Sequence, residues 1–338
     1  MTINIAVVSS EALVLGCDSV ASVTTPMMNP FNEGFAKDKD GNVIKDDQGR
    51  WLVPMVGIEH VVTDVMAGVT KMFKIYDARH TVVAATTAGM GKLNDRPIAG
   101  IAYDFAQSVK RGKKMTKVSA VAQAFYDYVR AEYERDQKAT EVPEEYWSGL
   151  EFLLGGIGKD DKFPVVYRIR MKDKLLRCEC ENGEAGMLWA GQADCVEKII
   201  RGYDAQLRNK VDAYAAELMN SHHKKMSETF VRMLEDVLKA VGQEMPKGVN
   251  TDLPPLPAFE MDWKQFKVGV SYSNLPLQEA IDFVSFLVLT QAGKQKFAPG
   301  LATVGGRIHI GYATKEHGFK FLNEPELTHK HTGFVYEH

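Results

Sequence analysis

Residues 2–18 read TINIAVVSSEALVLGCD. Two short aliphatic runs, INIAVV (3–8) and ALVLGCDS (12–19), flank the polar SSE of 9–11, a pattern that predicts a β-hairpin with largely buried strands. Only Met1 precedes Thr2, although chain ends fray unless something ties them down. Either the hairpin merely starts early, or its first residue is chemically useful.

At 338 residues the chain can bury a sizeable core, as one large domain or two. Its 45% hydrophobic and 25% charged residues are those of a soluble globular protein. Against 44 acidic residues stand 41 basic ones, a net charge of −3, so no bulk attraction favours nucleic acid or an anionic membrane. The amino terminus lacks the basic and apolar regions of a signal peptide, and no apolar run approaches the roughly 20 residues that span a bilayer. A cytoplasmic location is expected. Cys17, Cys178, Cys180 and Cys195 include one Cys-X-Cys pair, in RCECEN, which fits neither a redox motif nor a zinc knuckle. The histidines of SHHKK (221–225) and THKHTG (328–333) fall in polar segments with no completing carboxylate or cysteine spacing. Reduced thiols, no metal and no cofactor are expected.

Between about residues 21 and 69 the texture turns to Pro, Asn, Asp and Gly, with a small hairpin at KDGNV and a turn at DDQGR; this segment reads as a surface insertion. KMFKIYD and HTVVAATTAG return to strand character. NDRPIAGIAYDFAQSVKRG predicts a helix capped at Asn94 or Asp95 and stopped at Gly112. In the next helix Val118, Val121, Phe125, Tyr128 and Val129 share one face, as in a helical layer covering a sheet. Strands LEFLLGGIG, FPVVYRIRM, LLRCECE and GMLWAG follow, then a helical region from about Gln192. Residues 204–244 predict two helices broken near NSHH, ended by the Pro-rich 250–259. EAIDFVSFLVLTQ is an apolar helix before the closing strands, and no repeat of fixed period stands out. The order of strands, helices, strands, helices, strands fits an α+β fold, a four-layer αββα sandwich, better than a doubly wound or barrel α/β fold. The domain expectation is one domain over 1–338 with insertions at about 21–69 and 204–275.

TTAGMGKLND falls short of a phosphate loop, since Thr86 stands at its first glycine and Leu93 at its hydroxyl position. No Gly-X-Ser-X-Gly elbow or His-Glu-X-X-His helix occurs. Four features of the first ninety residues remain: Thr2, Asp18 ending the second strand, Lys71 opening the next core strand, and the turn at Gly89. Each alone is commonplace. Together they can form a reaction centre, because removal of Met1 would put a hydroxyl and a free α-amine on one residue. That amine has an unperturbed pKa of about 7.7–8.0 and can serve as base beside the nucleophile. A buried Lys71 would disfavour its protonation and lower the hydroxyl pKa, with Asp18 holding the lysine. The Gly89 N–H would stabilise an oxyanion.

TINIAVVSSEALVLGCDSVAS resembles the opening of proteasome β-subunits and their bacterial relatives, the N-terminal-threonine branch of the N-terminal nucleophile (Ntn) hydrolases. Thr2 to Asp18 spans sixteen positions, TKMFKIYD is similar to that family's lysine strand, and ATTAG to its turn. LEFLLGGIGKDDKFPVVYRI, LWAGQADCVEKIIRGYD and EAIDFVSFLVLTQ with TVGGRIHIGYAT resemble later segments of the family, so the similarity covers most of the chain. The resemblance implies a threonine-type peptidase working through Thr2, Asp18, Lys71, the Gly89 N–H and Gln192, in a homo-oligomeric ring or stack. Three departures from the pattern, at four positions, stand out. Val20 replaces an arginine, Gln192, which can still hydrogen-bond but not in the same way, replaces a serine, and Leu301 and Val304 stand where an Asp and a Ser would orient amine and water.

The expected function is hydrolysis of peptide or amide bonds through an acyl-enzyme on Thr2 after Met1 removal. Two alternatives share the fold: a catalytically silent assembly or binding subunit, and an Ntn amidase acting on a small amide. Insertions of this size are too long for plain loops, and 204–244 suits either a neighbouring subunit or an intrachain buttress. Substrate, ring size and any ATP-dependent unfoldase partner are not encoded in any motif.

Overall fold

Antiparallel pairing of short apolar runs generates most of the structure, a computed structural model that describes residues 2–28, 34–53, 58–78, 80–110, 112, 114–244, 256, 259 and 261–322. Met1, the histidines at 329 and 331, and most of the Pro-rich 250–259 lie outside the described residues. The chain divides into two compact units, Met1–Ala193 with Ser271–His338, and Asp194–Val270.

The larger unit opens with β1 (Ile3–Val8), β2 (Ala12–Asp18), β3 (Ala21–Met28), β4 (Ile58–Met66), β5 (Met72–Ala78), β6 (Thr81–Gly89) and the two-residue strands β7 (Lys92–Leu93) and β8 (Arg96–Pro97). Helices α1 (Ile98–Lys110) and α2 (Val118–Ala139) follow, then β9 (Leu150–Ile157), β10 (Val165–Arg170), β11 (Leu175–Cys180) and β12 (Gly186–Gly191). After the second unit, with α3 (Asp194–Arg201) and α4 (Ala205–Ala240), the larger unit resumes with α5 (Leu277–Phe297), β13 (Ile308–Thr314) and β14 (Gly318–Phe321). Its two five-stranded sheets have the orders β12-β1-β2-β13-β14 and β11-β10-β9-β6-β5, antiparallel at every pairing.

Two apolar clusters hold these layers. Ala6, Leu13 and Leu15 of the first sheet pack with Ala84, Leu153 and Val166 of the second, while Phe73, Val83, Phe152 and Leu154 on the second sheet's other side pack with Ile101, Phe105, Val121 and Phe125 of α1 and α2. With α5 against the outer face of the first sheet, both faces of β1 and β2 are covered, which is why they read as largely apolar runs and are buried at every position. Helix α5 lies along β1, β2 and β13. In the second unit, Asp204 caps α4 by accepting from the Gln206 and Leu207 amides at 2.7 and 3.1 Å, and Trp263 donates to Asp212 at 3.1 Å. No described helix is long and apolar enough to cross a membrane.

Three local expectations are corrected. Asn94 and Asp95 are no helix cap: at φ 48° and 61° they form the left-handed turn between β7 and β8, conformations that Asn and Asp tolerate. Residues 205–240 form one helix without a break at NSHH, because the stretch holds no Pro or Gly to interrupt the backbone ladder. A short repeat is also present within 36–52. The Asp38 and Asp46 carboxylates each accept two amides in equivalent turns eight residues apart. Ala36, Ile44 and Leu52, at the same spacing, close a cycle of main-chain bonds of 2.9–3.0 Å. Turn chemistry, not apolar period, carries this repeat.

Candidate active site

The β1–β2 hairpin carries the chain out from Thr2 and back, so Asp18 returns beside the residue sixteen positions earlier. Thr2 is 3% exposed and Asp18 fully buried. The Thr2 hydroxyl donates to Asp18 Oδ1 at 2.5 Å, and the same oxygen accepts from the Ile3 amide at 3.0 Å. Asp18 Oδ2 accepts from the Val20 amide and, from the α5–β13 connection, the Gly305 amide, each at 3.1 Å. A buried carboxylate so supplied with donors is held in place with its oxygens paired.

Lys71 immediately precedes β5 and is 5% exposed. Its ammonium has three N–H donors and three acceptors: Asp18 Oδ1 at 2.7 Å, the Thr2 hydroxyl oxygen and the Val20 carbonyl. Burial pushes the Lys71 pKa below its ordinary value, opposed by the Asp18 charge and hydrogen bond. Thr2, Asp18 and Lys71 therefore meet at one oxygen, Thr2 Oγ1, which faces a cation and an anion at once. At the arginine position of the resemblance, the Val20 side chain is buried while its carbonyl and amide tie Lys71 and Asp18.

A cavity of about 240 Å³ opens on Thr2, Lys71 and Gly89, with apolar walls that include Val69, Met90, Pro97 and Ile98. Gly89 ends β6 at φ +94°, and a Cβ there would stand 2.1 Å from the Gly149 carbonyl oxygen, so only glycine fits this turn. On the other side of Thr2, Gln192 donates its backbone N–H to the Thr2 carbonyl at 2.6 Å. Gly191, at φ +79°, leaves a Cβ only 2.2 Å from that carbonyl oxygen and 3.0 Å from the Thr2 Cγ2. Gly191→Ala is expected to displace Thr2 and lower stability by about 1–3 kcal/mol, measured by urea unfolding.

Leu301 is 54% exposed and Val304 1% exposed, so neither supplies a polar group to Thr2. Polar contacts near the site come from neighbours that the sequence reading passed over. Thr303, buried, donates to Gln192 Oε1 at 3.0 Å; its signal was a hydroxyl one residue before Val304. His309 and Cys17 are paired in register, as are Cys17 and Asn4, giving a buried row two residues along β1 from Thr2. Burial holds His309 below its ordinary pKa, with Asp18 raising it and Lys71 lowering it. Burial and the Asp18 charge push the Cys17 thiol well up, so burial disfavours a charge on both groups beside the ion pair. Among the described residues no cluster of His, Cys, Asp and Glu is arranged to hold a metal ion.

No family model and no curated protein matches this chain. Among solved structures it is similar to Anbu from Hyphomicrobium sp. strain MC1, with a TM-score of 0.48 and 10% identity over 95% of this chain and 85% of that one. Anbu, described as an ancestral beta-subunit, from Yersinia bercovieri gives a TM-score of 0.44 and 10% identity over 95% and 87% of the two chains. The helical assembly of the Anbu complex from Pseudomonas aeruginosa gives 0.36 and 14% identity over 62% of this chain and 70% of that chain.

Proposed function

We propose that this chain is an N-terminal threonine hydrolase of the Ntn type, built as a four-layer αββα sandwich, that cleaves peptide or amide bonds through an acyl-enzyme on Thr2. The convergence of Asp18 and Lys71 on the Thr2 hydroxyl, at the mouth of a cavity, carries the reading.

In this reaction Met1 is removed first, which frees the Thr2 amine. Thr2 Oγ1 attacks the substrate carbonyl carbon, and its proton passes to the neutral α-amine. The adjacent Lys71 charge favours the alkoxide-like oxygen and disfavours a second cation on the amine. Negative charge developing on the carbonyl oxygen is met by the Gly89 N–H. Collapse expels the leaving amine, which takes the proton from the α-ammonium, and leaves an ester on Thr2. Water, deprotonated by the same amine, then cleaves that ester and restores the hydroxyl.

The wall formed by Val69, Met90, Pro97 and Ile98, beside the uncharged Ser22, Thr70 and Thr87, favours a neutral, medium-sized side chain on the acyl side of the cut bond. The test is a panel of fluorogenic peptide amides with Leu, Ala, Arg or Glu at that position, offered to the chain lacking Met1. Leu and Ala substrates are expected to turn over at least about tenfold faster than Arg or Glu, the size of a desolvated-charge penalty. Preference for Arg or Glu would contradict the cavity assignment. Apolar residues Leu301 and Val304, standing where polar partners occur in the resemblance, favour the silent-subunit reading, for which no substrate would turn over. Self-assembly belongs to either reading, and α4, with Tyr214, Met226, Met233 and Val237 exposed, is a surface available for it.

A further inference from the structure

We infer that Thr303 is a positioning residue for Thr2, acting through the side chain of Gln192; this rests on the reading of Thr2 as an N-terminal nucleophile. Thr303 is 3% exposed and lies in the connection from α5 to β13. That connection is pinned to the hairpin carrying Thr2. Gly305 donates to Asp18 Oδ2 at 3.1 Å and accepts from the Ser19 amide at 3.1 Å, and the Arg307 amide donates to Ser19 Oγ at 2.8 Å. A short-sided hydroxyl on so constrained a segment has little freedom. It donates to Gln192 Oε1 at 3.0 Å, with Gln295 Oε1 at 3.5 Å.

Gln192 is bound to Thr2 in turn. Its backbone amide donates to the Thr2 carbonyl, and the register pairs Ile3 with Gly191, so Gln192 flanks the end of β1 that carries the α-nitrogen. A hydroxyl has one proton to give. Given to Oε1, it fixes which branch of the amide is the acceptor, and on this inference it turns the two Gln192 N–H donors toward the Thr2 nitrogen. An N–H donor beside a primary amine stabilises its lone-pair form and disfavours the ammonium. Thr303 thereby keeps the Thr2 amine in its basic form at neutral pH. Among the described residues, the other titratable groups facing the site are Asp18 and Cys17 on β2, Lys71 before β5, and His309 and Arg307 on or beside β13; replacing Thr303 alters none of them chemically.

The experiment follows the pH dependence of Thr2 labelling by a peptide epoxyketone, scored by intact mass on protein lacking Met1. Thr303→Val keeps shape and removes the donor. It is expected to raise the acid limb of the labelling profile by about one pH unit and slow labelling at pH 7 about tenfold, the change in neutral-amine fraction that such a shift produces. Thr303→Ser is expected to stay within about twofold of the parent, Gln192→Ala to reproduce the Thr303→Val shift, and the double variant to be no slower than Gln192→Ala alone, the signature of residues acting in series. An unmoved acid limb in Thr303→Val, or additive effects in the double variant, overturns the inference. If Thr303→Val does not fold, the limb in Gln192→Ala decides the matter. Absence of labelling in the parent protein refutes the nucleophile reading itself and the inference with it.

Discussion

Thr2→Ala is expected to lower turnover of the best fluorogenic amide by about 10³-fold or more and to abolish epoxyketone labelling, with the fold intact. Alanine is small enough for Met1 still to be removed, so the variant keeps its α-amine and loses only the hydroxyl and methyl. Asp18 Oδ1 retains the Ile3 amide and Lys71 as donors, which limits the stability loss to about 1–3 kcal/mol. Thr2→Ser restores the oxygen and is expected to recover most of the activity. Equal turnover in Thr2→Ala and the parent would show that the bond is cut elsewhere.

Removing Lys71 carries the second large effect, and it acts on stability and chemistry together. Lys71 and Asp18 form an ion pair with side chains 6% and 0% exposed. Truncation in Lys71→Ala strands a buried carboxylate, a change that costs about 3–5 kcal/mol and is measured as a lower urea midpoint. Activity is expected to vanish as well, because the Thr2 oxygen loses its only neighbouring cation among the described side chains bonded to it. The two effects separate in the double variant Asp18→Asn with Lys71→Met. Its neutral, space-filling pair is expected to recover much of the lost stability while labelling of Thr2 stays absent. A Lys71→Ala protein with parental turnover would remove the lysine from the account.

The convergence of Thr2 and Asp18 was legible because it is local: a hairpin with a short turn must bring positions sixteen apart together when the strands are antiparallel. Lys71 and Gly89 were legible as candidates from their strand-edge and turn positions, but only the resemblance tied them to Thr2, since nothing in their immediate sequence says which strand will lie across from it. Thr303 and His309 escaped notice for the same reason. Each reaches the site through a register or a side-chain contact with residues more than a hundred positions away, and no local pattern encodes that. The misread helix boundaries have a different origin. Asn94 and Asp95 suit a helix cap and a left-handed turn equally well by composition, and the tertiary bond from the Asn94 amide to Asp136 at 2.5 Å accompanies the turn. Continuity of α4 through Asn220 and Ser221 reflects weak local preferences that the flanking helix formers outweigh.

The central claim reduces to the state of one residue, and an epoxyketone reads both of its functional groups: the hydroxyl adds to the ketone and the free amine opens the epoxide. Intact-mass spectrometry of the full-length protein before and after a peptide epoxyketone is therefore the most direct measurement. The account predicts a chain that begins at Thr2 and gains one equivalent of the reagent, mapped to that residue. A chain that keeps Met1, or one that begins at Thr2 and remains unmodified at saturating reagent, would contradict it.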